Sequence, residues 1–73
     1  MDIKTKIGTR IRFLRLQKKV SQESLANIAE IDRTYMTSVE NGKRNISIIN
    51  LEKIVTALDT DFTAFFNDDI FHE

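Results

Sequence analysis

Residues 32–41 carry the side chains whose types and spacing are best suited to recognising another molecule. Projected as a helix at about 100° per residue, this segment places Met36, Val39 and Glu40 on one side. The other side is short and polar, and Arg33 and Tyr35 lie on its two flanks. The polar side chains are Thr34, Thr37, Ser38 and Asn41. This face can both donate and accept hydrogen bonds, and it has a cation at its N-terminal end.

Such a face fits the major groove of double-stranded DNA. Recognition helices present their N-terminal residues to base edges. There, arginine can bond guanine through two hydrogen bonds, and threonine can offer a methyl group to thymine or a hydroxyl to several bases. Any surface helix has polar residues outward, so a merely solvated face is the alternative.

Donors suited to phosphate surround this segment. Gln22 is expected in the first turn of a helix, where its amide and the free backbone N–H groups could bind one phosphate together. Tyr35 could reach a phosphate with its hydroxyl. The following loop supplies two cations and two amides, from Asn41, Lys43, Arg44 and Asn45. A loop of this composition is also often only solubilising, and the residues alone leave both explanations open.

Arg15 and Glu40 project onto the inward sides of their helices, close to Ile11 and Met36 respectively. Unpaired charges there would be costly. We expect an ion pair that joins the two helices and fixes the angle of the polar segment, and removing one partner of a buried pair costs about 3 to 5 kcal/mol. The alternative is that each side chain reaches water independently.

Periodicity predicts five helices, and hence an all-α fold. The first covers about residues 5 to 18, with an apolar stripe of Ile7, Ile11 and Leu14. The second runs from a Ser21 cap through Glu30, with Leu25 and Ile28 inward. Asp32 caps the third helix, which ends at about Asn41, before Gly42. Ser47 caps the fourth helix, and Thr60 or Asp61 begins the fifth. Two short capped helices joined by a tight turn form the outline of a helix-turn-helix unit.

Charge is distributed unevenly in this neutral chain of 73 residues. The part up to Arg44 has ten basic and five acidic residues, a net charge of +5, whereas the rest has one basic and six acidic residues, a net charge of −5. A nonspecific polycation is therefore not expected, but one region suits a polyanion. No apolar run approaches the roughly 20 residues that span a bilayer. We expect a soluble, cytoplasmic protein, associated with the nucleoid when bound, and no membrane partner.

Residues for catalysis are scarce. His72 is the only histidine and there is no cysteine, while Asp68 and Asp69 lie in a terminal segment without a base, nucleophile or metal ligand at useful spacing. We expect no enzyme activity, no metal and no cofactor.

Apolar residues of the C-terminal part exceed what one short helix needs for anchoring, which suggests a homodimer. The expected interface residues are Ile49, Phe65, Phe66 and Ile70, whereas Phe62 is expected mainly in the monomer core. An alternative of another class is a protein-interaction module that docks this aromatic C-terminus. Phe13 and Leu16 project away from the main stripe of the first helix and have no assigned role.

The stretch RIRFLRLQKKVSQESLANIAEIDRTYMTSVENGKRNIS, followed by LEKIVTAL, resembles the Cro/repressor-type helix-turn-helix family of phage and bacterial regulators. The segments DRTYMTSVENGKRNIS and FTAFF look more narrowly like the controller proteins of restriction-modification systems. The resemblance covers about residues 7 to 66. It implies a compact, lambda-repressor-like five-helix domain over residues 1–73, with the helix-turn-helix in its second and third helices and dimerisation through its last helices.

The resemblance also implies partners and roles. The partners are palindromic double-stranded operator DNA, a second copy of the chain, a second dimer on tandem sites and RNA polymerase. Base-reading positions of the family match Arg33, Thr34, Thr37 and Ser38. Its sugar and phosphate contacts match Gln22, Tyr35, Arg44, Asn45 and Ser47, and its interhelical ion pair matches Arg15 and Glu40.

A controller protein regulates its own operon and delays the endonuclease until the methyltransferase has protected the host. A phage-type repressor or an antitoxin-like regulator is the alternative within the family. Two positions depart from the family pattern, because Lys19 and Glu30 stand where glycine is common. A non-glycine residue at positive φ costs about 1 kcal/mol, so either the turn geometry differs or the domain accepts this strain.

Overall fold

Five α-helices follow one another in the computed structural model, which describes residues 1–72. They are Ile3–Gln17 (α1), Gln22–Ala29 (α2), Arg33–Glu40 (α3), Ile48–Ala57 (α4) and Phe62–Phe66 (α5), and a short 3₁₀ turn follows at Asp69–Phe71. The predicted all-α, five-helix architecture is confirmed. Glu73, the last residue of the expected 1–73 domain, lies outside the described residues.

Each helix begins at a side chain that accepts a hydrogen bond from the backbone N–H group three residues later, which satisfies one free donor of the first turn. The caps are Asp2, Ser21, Asp32, Ser47 and Asp61. Ser21, Asp32 and Ser47 were predicted, and Asp61 was one of two alternatives for α5. The helix α1 begins earlier than predicted, because Asp2 Oδ1 accepts the Thr5 N–H at 2.8 Å. This hydrogen bond also lowers the pKa of Asp2.

A left-handed residue follows each of the first four helices: Lys19, Glu30, Gly42 and Asp59. In each case the next N–H group donates to a carbonyl five residues earlier, as Val20 does to Arg15 and Ile31 to Ala26. This pattern satisfies carbonyl groups at the helix ends. Lys19 and Glu30 have φ values of 61° and 59°. Of the two explanations for the missing glycines, the domain therefore accepts the strain and keeps the turn.

The core is formed by side chains from all five helices. Its fully buried large members are Ile11, Leu25, Met36, Val39, Ile54, Val55 and Phe65. The prediction that Ile28 faces inward is wrong, because its side chain is 56% exposed. In α2 the buried positions are Leu25, Ala26 and Ala29, and Ile28 falls beside this narrow stripe at the end of the helix.

Gly8 allows α1 to pass directly over the C-terminal end of α3. A Cβ atom at this position would lie 2.4 Å from the carbonyl oxygen of Val39 and 2.6 Å from that of Glu40. Both distances are far shorter than van der Waals contact, so only glycine fits without movement of the backbone. The contact fixes the position of the polar segment relative to α1.

Candidate nucleic-acid interface

The rotation of α3 is set by Met36 and Val39, which are at most 1% exposed. Their burial turns the opposite side of the helix outward, where Arg33 and Thr34 are exposed and Thr37 and Ser38 are half-buried. The structure thus brings the four predicted base-reading residues onto one accessible face. Since α3 has only eight residues, this face is short and lies close to the start of the helix.

Arg33 is held only loosely. Its Nη1 atom lies 3.5 Å from Glu23 Oε2 at the start of α2, and both side chains are 67% exposed. Surface pairs of this kind contribute little to stability. The guanidinium group is therefore free to exchange Glu23 for another partner. This contact is not evident from the sequence, because it depends on how α2 and α3 cross.

The loop after α3 folds back against the helix. The Arg44 guanidinium carbon lies 5.0 Å from the centroid of the Tyr35 ring, a distance suited to a cation–π interaction. The Lys43 N–H donates to the Ser38 carbonyl oxygen at 3.0 Å. All four predicted donors of this loop are exposed: Asn41, Lys43, Arg44 and Asn45. A cluster of cations and amides thus borders the polar face of α3.

Ser47 stands at the far end of this loop and caps α4. Its Oγ atom accepts the Asn50 N–H at 3.1 Å. A hydroxyl that accepts in this way keeps its own proton for donation. Ser47 is exposed, so that proton is available to an external acceptor such as a phosphate oxygen.

The ion pair expected between Arg15 and Glu40 is present. Arg15 Nε donates to Glu40 Oε2 at 2.8 Å and Nη2 donates to Oε1 at 3.0 Å. The two side chains are 9% and 0% exposed. Arg15 Nη1 also donates to the Val20 carbonyl oxygen at 3.0 Å. This side chain therefore connects the end of α1, the turn after it and the end of α3.

Gln22 has inward contacts that the sequence did not suggest. Its Nε2 atom donates to Glu40 Oε1 at 3.0 Å, and its Oε1 atom accepts from the Thr37 hydroxyl at 3.0 Å. An amide nitrogen carries two protons, so one remains for a phosphate. The polar neighbours Arg15, Glu40, Gln22 and Thr37 thus form a continuous hydrogen-bonded network, called here the Arg15–Thr37 network.

Two further observations concern residues 1–72. None of the helices there combines the length and apolarity needed to cross a membrane. In the same residues, no group of three or more histidine, cysteine or acidic side chains is arranged to hold a metal ion.

Comparison with known proteins assigns the family. The family model described as helix-turn-helix matches residues 11–65, which include α2, α3 and the loop that follows them. The chain belongs to the helix-turn-helix family. The predicted resemblance to this family and to controller proteins is confirmed by the relatives that match.

Three relatives of this helix-turn-helix chain are controllers. The control protein C.MunI of a Mycoplasma species is 47% identical over 92% of this chain and 92% of its own length. The crystal structure of the restriction-modification controller protein C.AhdI from Aeromonas hydrophila is 44% identical, with a TM-score of 0.83 over 86% of this chain and 96% of that one. The controller C.Esp1396I, bound to a 25 base pair operator site, is 35% identical, with a TM-score of 0.84 over 90% of this chain and 87% of that one.

The expected interface role of Phe65 in this helix-turn-helix domain is wrong, because its side chain is fully buried in the core. Its ring packs edge to face against Phe66, with centroids 5.0 Å apart, and Phe66 packs in the same way against Phe71 at 4.8 Å. Phe66 and Ile70 are half-buried. The aromatic side chains thus largely cover one another within the monomer.

The Arg10 side chain links α1 to α5. Its Nε atom donates to the Phe65 carbonyl oxygen at 2.8 Å, and Nη2 donates to the Ala64 carbonyl oxygen at 3.1 Å. This role of Arg10 was not predicted from the sequence, where it contributes only to the basic charge of the N-terminal part. A signal was present, however, because Arg10 lies three residues after Ile7 and four before Leu14, on the inward stripe of α1.

The predicted interface residue Ile49 is 66% exposed, and its neighbour Ile48 is 68% exposed. Together with Glu52 and Phe62 they line a shallow cavity of about 160 Å³. Exposed isoleucines at the start of one helix, beside an aromatic ring of the next, form an apolar surface at the junction of α4 and α5. Phe13 and Leu16 are also exposed, at 50% and 55%, but they lie on α1.

Proposed function

We propose that this chain is a sequence-specific DNA-binding transcriptional regulator that binds a palindromic operator as a homodimer in the cytoplasm. The observation that carries the proposal is the polar face of α3, bordered by the exposed cationic loop from Asn41 to Asn45. The face supplies base-reading groups and the loop supplies phosphate contacts, the two kinds of interaction that specific recognition requires.

The base-reading set comprises Arg33, Thr34, Thr37 and Ser38. Arg33 lies at the first position of α3, where recognition helices contact base edges, and only an exposed pair with Glu23 restrains it. Its planar guanidinium group matches the O6 and N7 atoms of guanine. The shorter hydroxyl side chains behind it allow the helix to approach the groove closely.

The backbone set comprises Gln22, Tyr35, Asn41, Lys43, Arg44, Asn45 and Ser47. Arg44 is supported by the Tyr35 ring, which limits its motion before DNA arrives and so reduces the entropy lost on binding. Gln22 retains one amide proton beside the free N–H groups at the start of α2. These contacts bind phosphate without reading sequence, and they set the position of α3 in the groove.

Dimerisation would place two α3 helices about one turn of DNA apart, as palindromic half-sites require. Burial of Phe65 removes it from the proposed interface, which we centre on Ile49 and Ile48 at the junction of α4 and α5. The half-buried residues Phe66 and Ile70 remain part of the proposal. Two exposed isoleucines beside a cavity are the apolar groups that a second copy would cover.

The specific biological role that we propose is that of a restriction-modification controller, which regulates its own operon and the endonuclease gene. Support comes from the relatives C.MunI, which is named a control protein, and C.AhdI, which is named a restriction-modification controller protein. Two dimers on tandem operator sites and contact with RNA polymerase belong to the same proposal. We propose a binding role without catalysis, metal or cofactor.

Selection of bound sequences from a random pool of double-stranded DNA tests the proposal. The expected result is a palindromic sequence whose half-sites are about one helical turn apart. Affinity for the selected sequence should fall steeply with salt, because bound phosphates release counterions. Recovery of unrelated sequences, with affinity independent of salt, would instead favour a protein-interaction module.

A further inference from the structure

The Thr37 hydroxyl lies at the outer end of the Arg15–Thr37 network, and the network determines which way its proton points. Arg15 can only donate hydrogen bonds, and an ionised Glu40 carboxylate can only accept them. Their two contacts, at 2.8 and 3.0 Å, therefore have a fixed direction. Glu40 also faces Gln22 at 3.0 Å, so the Gln22 atom at this contact must be a donor.

This requirement fixes the orientation of the Gln22 amide. With Nε2 against Glu40, the Oε1 atom points to the Thr37 hydroxyl at 3.0 Å. The opposite orientation would place an oxygen against a carboxylate oxygen, and both would repel. A second acceptor, the Arg33 carbonyl oxygen, lies 3.1 Å from the same hydroxyl. The single proton of Thr37 is therefore directed inward, toward one of two acceptors.

With its proton used inside the protein, the hydroxyl has only lone pairs left for an outside partner. We propose that Thr37 acts in the DNA groove as a hydrogen-bond acceptor and reads an exocyclic amino group, the N6 group of adenine or the N4 group of cytosine. This inference rests on the proposed function and specifies the chemistry of one position in it. Gln22 is then a positioning residue, which together with the Arg33 carbonyl oxygen keeps the Thr37 proton directed inward.

The proposal differs from what a threonine alone implies. A free hydroxyl rotates, so it can donate to the keto oxygens of guanine and thymine or accept from the amino groups of adenine and cytosine. In this protein the Thr37 proton is used within the Arg15–Thr37 network, so the hydroxyl does not donate to a keto oxygen. Thr37 therefore distinguishes amino groups from keto oxygens, which an isolated threonine would treat alike.

Base analogues test the proposal directly. After the operator has been selected, binding of the wild type and of Thr37→Val is measured on every single-base variant of one half-site. Valine keeps the shape and the methyl group of threonine and replaces the hydroxyl with a second methyl. The position where Thr37→Val loses discrimination identifies the base pair that Thr37 contacts, and each base pair carries one amino-bearing base in the major groove, adenine or cytosine. Replacing that base by purine or 2-pyrimidinone, which lack the amino group, should weaken wild-type binding about fivefold and leave Thr37→Val unchanged.

A second variant examines the positioning role of Gln22. Gln22→Met removes the amide at similar length, so the Thr37 hydroxyl loses its acceptor on α2 and keeps only the Arg33 carbonyl oxygen of its own helix. The expected result is a smaller loss of binding than in the wild type when the amino group is removed at the Thr37 position, with unchanged base preferences at the Arg33 position. Gln17→Met is the matched control, because Gln17 is exposed at the end of α1 and outside the network. Circular dichroism confirms that each variant is folded.

Two results would overturn the inference while leaving the proposed function intact. One is wild-type binding that stays unchanged when the amino group is removed from the base pair affected by Thr37→Val but weakens when the keto oxygen of the other base is removed, since this would make the hydroxyl a donor. The other is identical base preference of wild type and Thr37→Val at every position. Failure of the wild type to select any DNA sequence would instead refute the proposed function itself.

Discussion

Arg10 donates a hydrogen bond from its Nε atom to the Phe65 carbonyl oxygen at 2.8 Å, across 55 residues of sequence. A second bond from Nη2 reaches the Ala64 carbonyl oxygen. Because α5 is only five residues long, it has few backbone hydrogen bonds of its own. The guanidinium group satisfies carbonyls at its C-terminal end and attaches it to α1. The C-terminal part is thus anchored within the monomer and leaves its neighbouring isoleucines exposed.

Arg10→Ala should lower the free energy of unfolding by about 2 kcal/mol, because hydrogen bonds from a charged donor are lost at part-buried carbonyls. Urea denaturation measures this change. Arg12→Ala is the matched control, since Arg12 lies on the same helix but is exposed, and its effect should stay within about 0.5 kcal/mol. Equal effects of the two substitutions would argue against the anchoring role of Arg10.

Ile49→Lys should convert the proposed homodimer to a folded monomer, because it places a charge in the apolar surface between α4 and α5. Phe65→Ala should act differently and lower the free energy of unfolding by about 3 to 5 kcal/mol, the usual cost of a large cavity in a core. Sedimentation and denaturation separate the two effects. Leu16→Lys, an equally exposed apolar position on α1, is the control and should remain dimeric; a dimeric Ile49→Lys would place the interface elsewhere.

Arg15→Leu should cost about 3 to 5 kcal/mol of stability, because the fully buried Glu40 carboxylate loses its partner. The double variant Arg15→Leu with Glu40→Leu should recover much of that loss, since no uncompensated charge remains. A double-mutant cycle of unfolding free energies measures the coupling. Strictly additive effects of the two substitutions would contradict a functional pair.

Arg44→Ala should weaken binding to operator and to unrelated DNA by a similar factor and reduce the salt slope by about one. The reason is that Arg44 is proposed to contact phosphate, which carries no sequence information. Arg44→Lys keeps the charge and should retain the salt slope, although it loses the planar contact with Tyr35. Anisotropy titrations at several salt concentrations provide the measurement, and a loss confined to the operator would assign Arg44 to base reading.

Local signals in the sequence predicted the helices well. Ser21, Asp32 and Ser47 are strong caps, and the stripe Leu51, Ile54 and Val55 determines the buried side of α4. The ion pair of Arg15 and Glu40 was also predictable, because a charged side chain on the buried face of a helix is stable only when an opposite charge pairs with it. These features depend on residues within one helix turn, or on the high cost of burying a lone charge.

Contacts between distant segments were not predictable in the same way. The bonds from Arg10 to the carbonyl groups of α5 and the bond from Gln22 to Thr37 depend on how helices cross. Periodicity gives the buried side of a helix but not its neighbour. Phe65 illustrates the difficulty, since an aromatic residue near the end of a chain suits a core and an interface equally well, and only the packing of α5 decides between them.

The central claim, that α3 reads DNA sequence from its N-terminal end, is tested most directly by Arg33→Ala. Affinities of this variant and the wild type are measured on the selected operator and on all its single-base variants, at one salt concentration. We predict a loss of about 1 to 3 kcal/mol on the operator, with relaxed preference at one base position in each half-site and unchanged preference elsewhere. An unchanged base preference at every position, or an equal loss on all sequences, would contradict the claim.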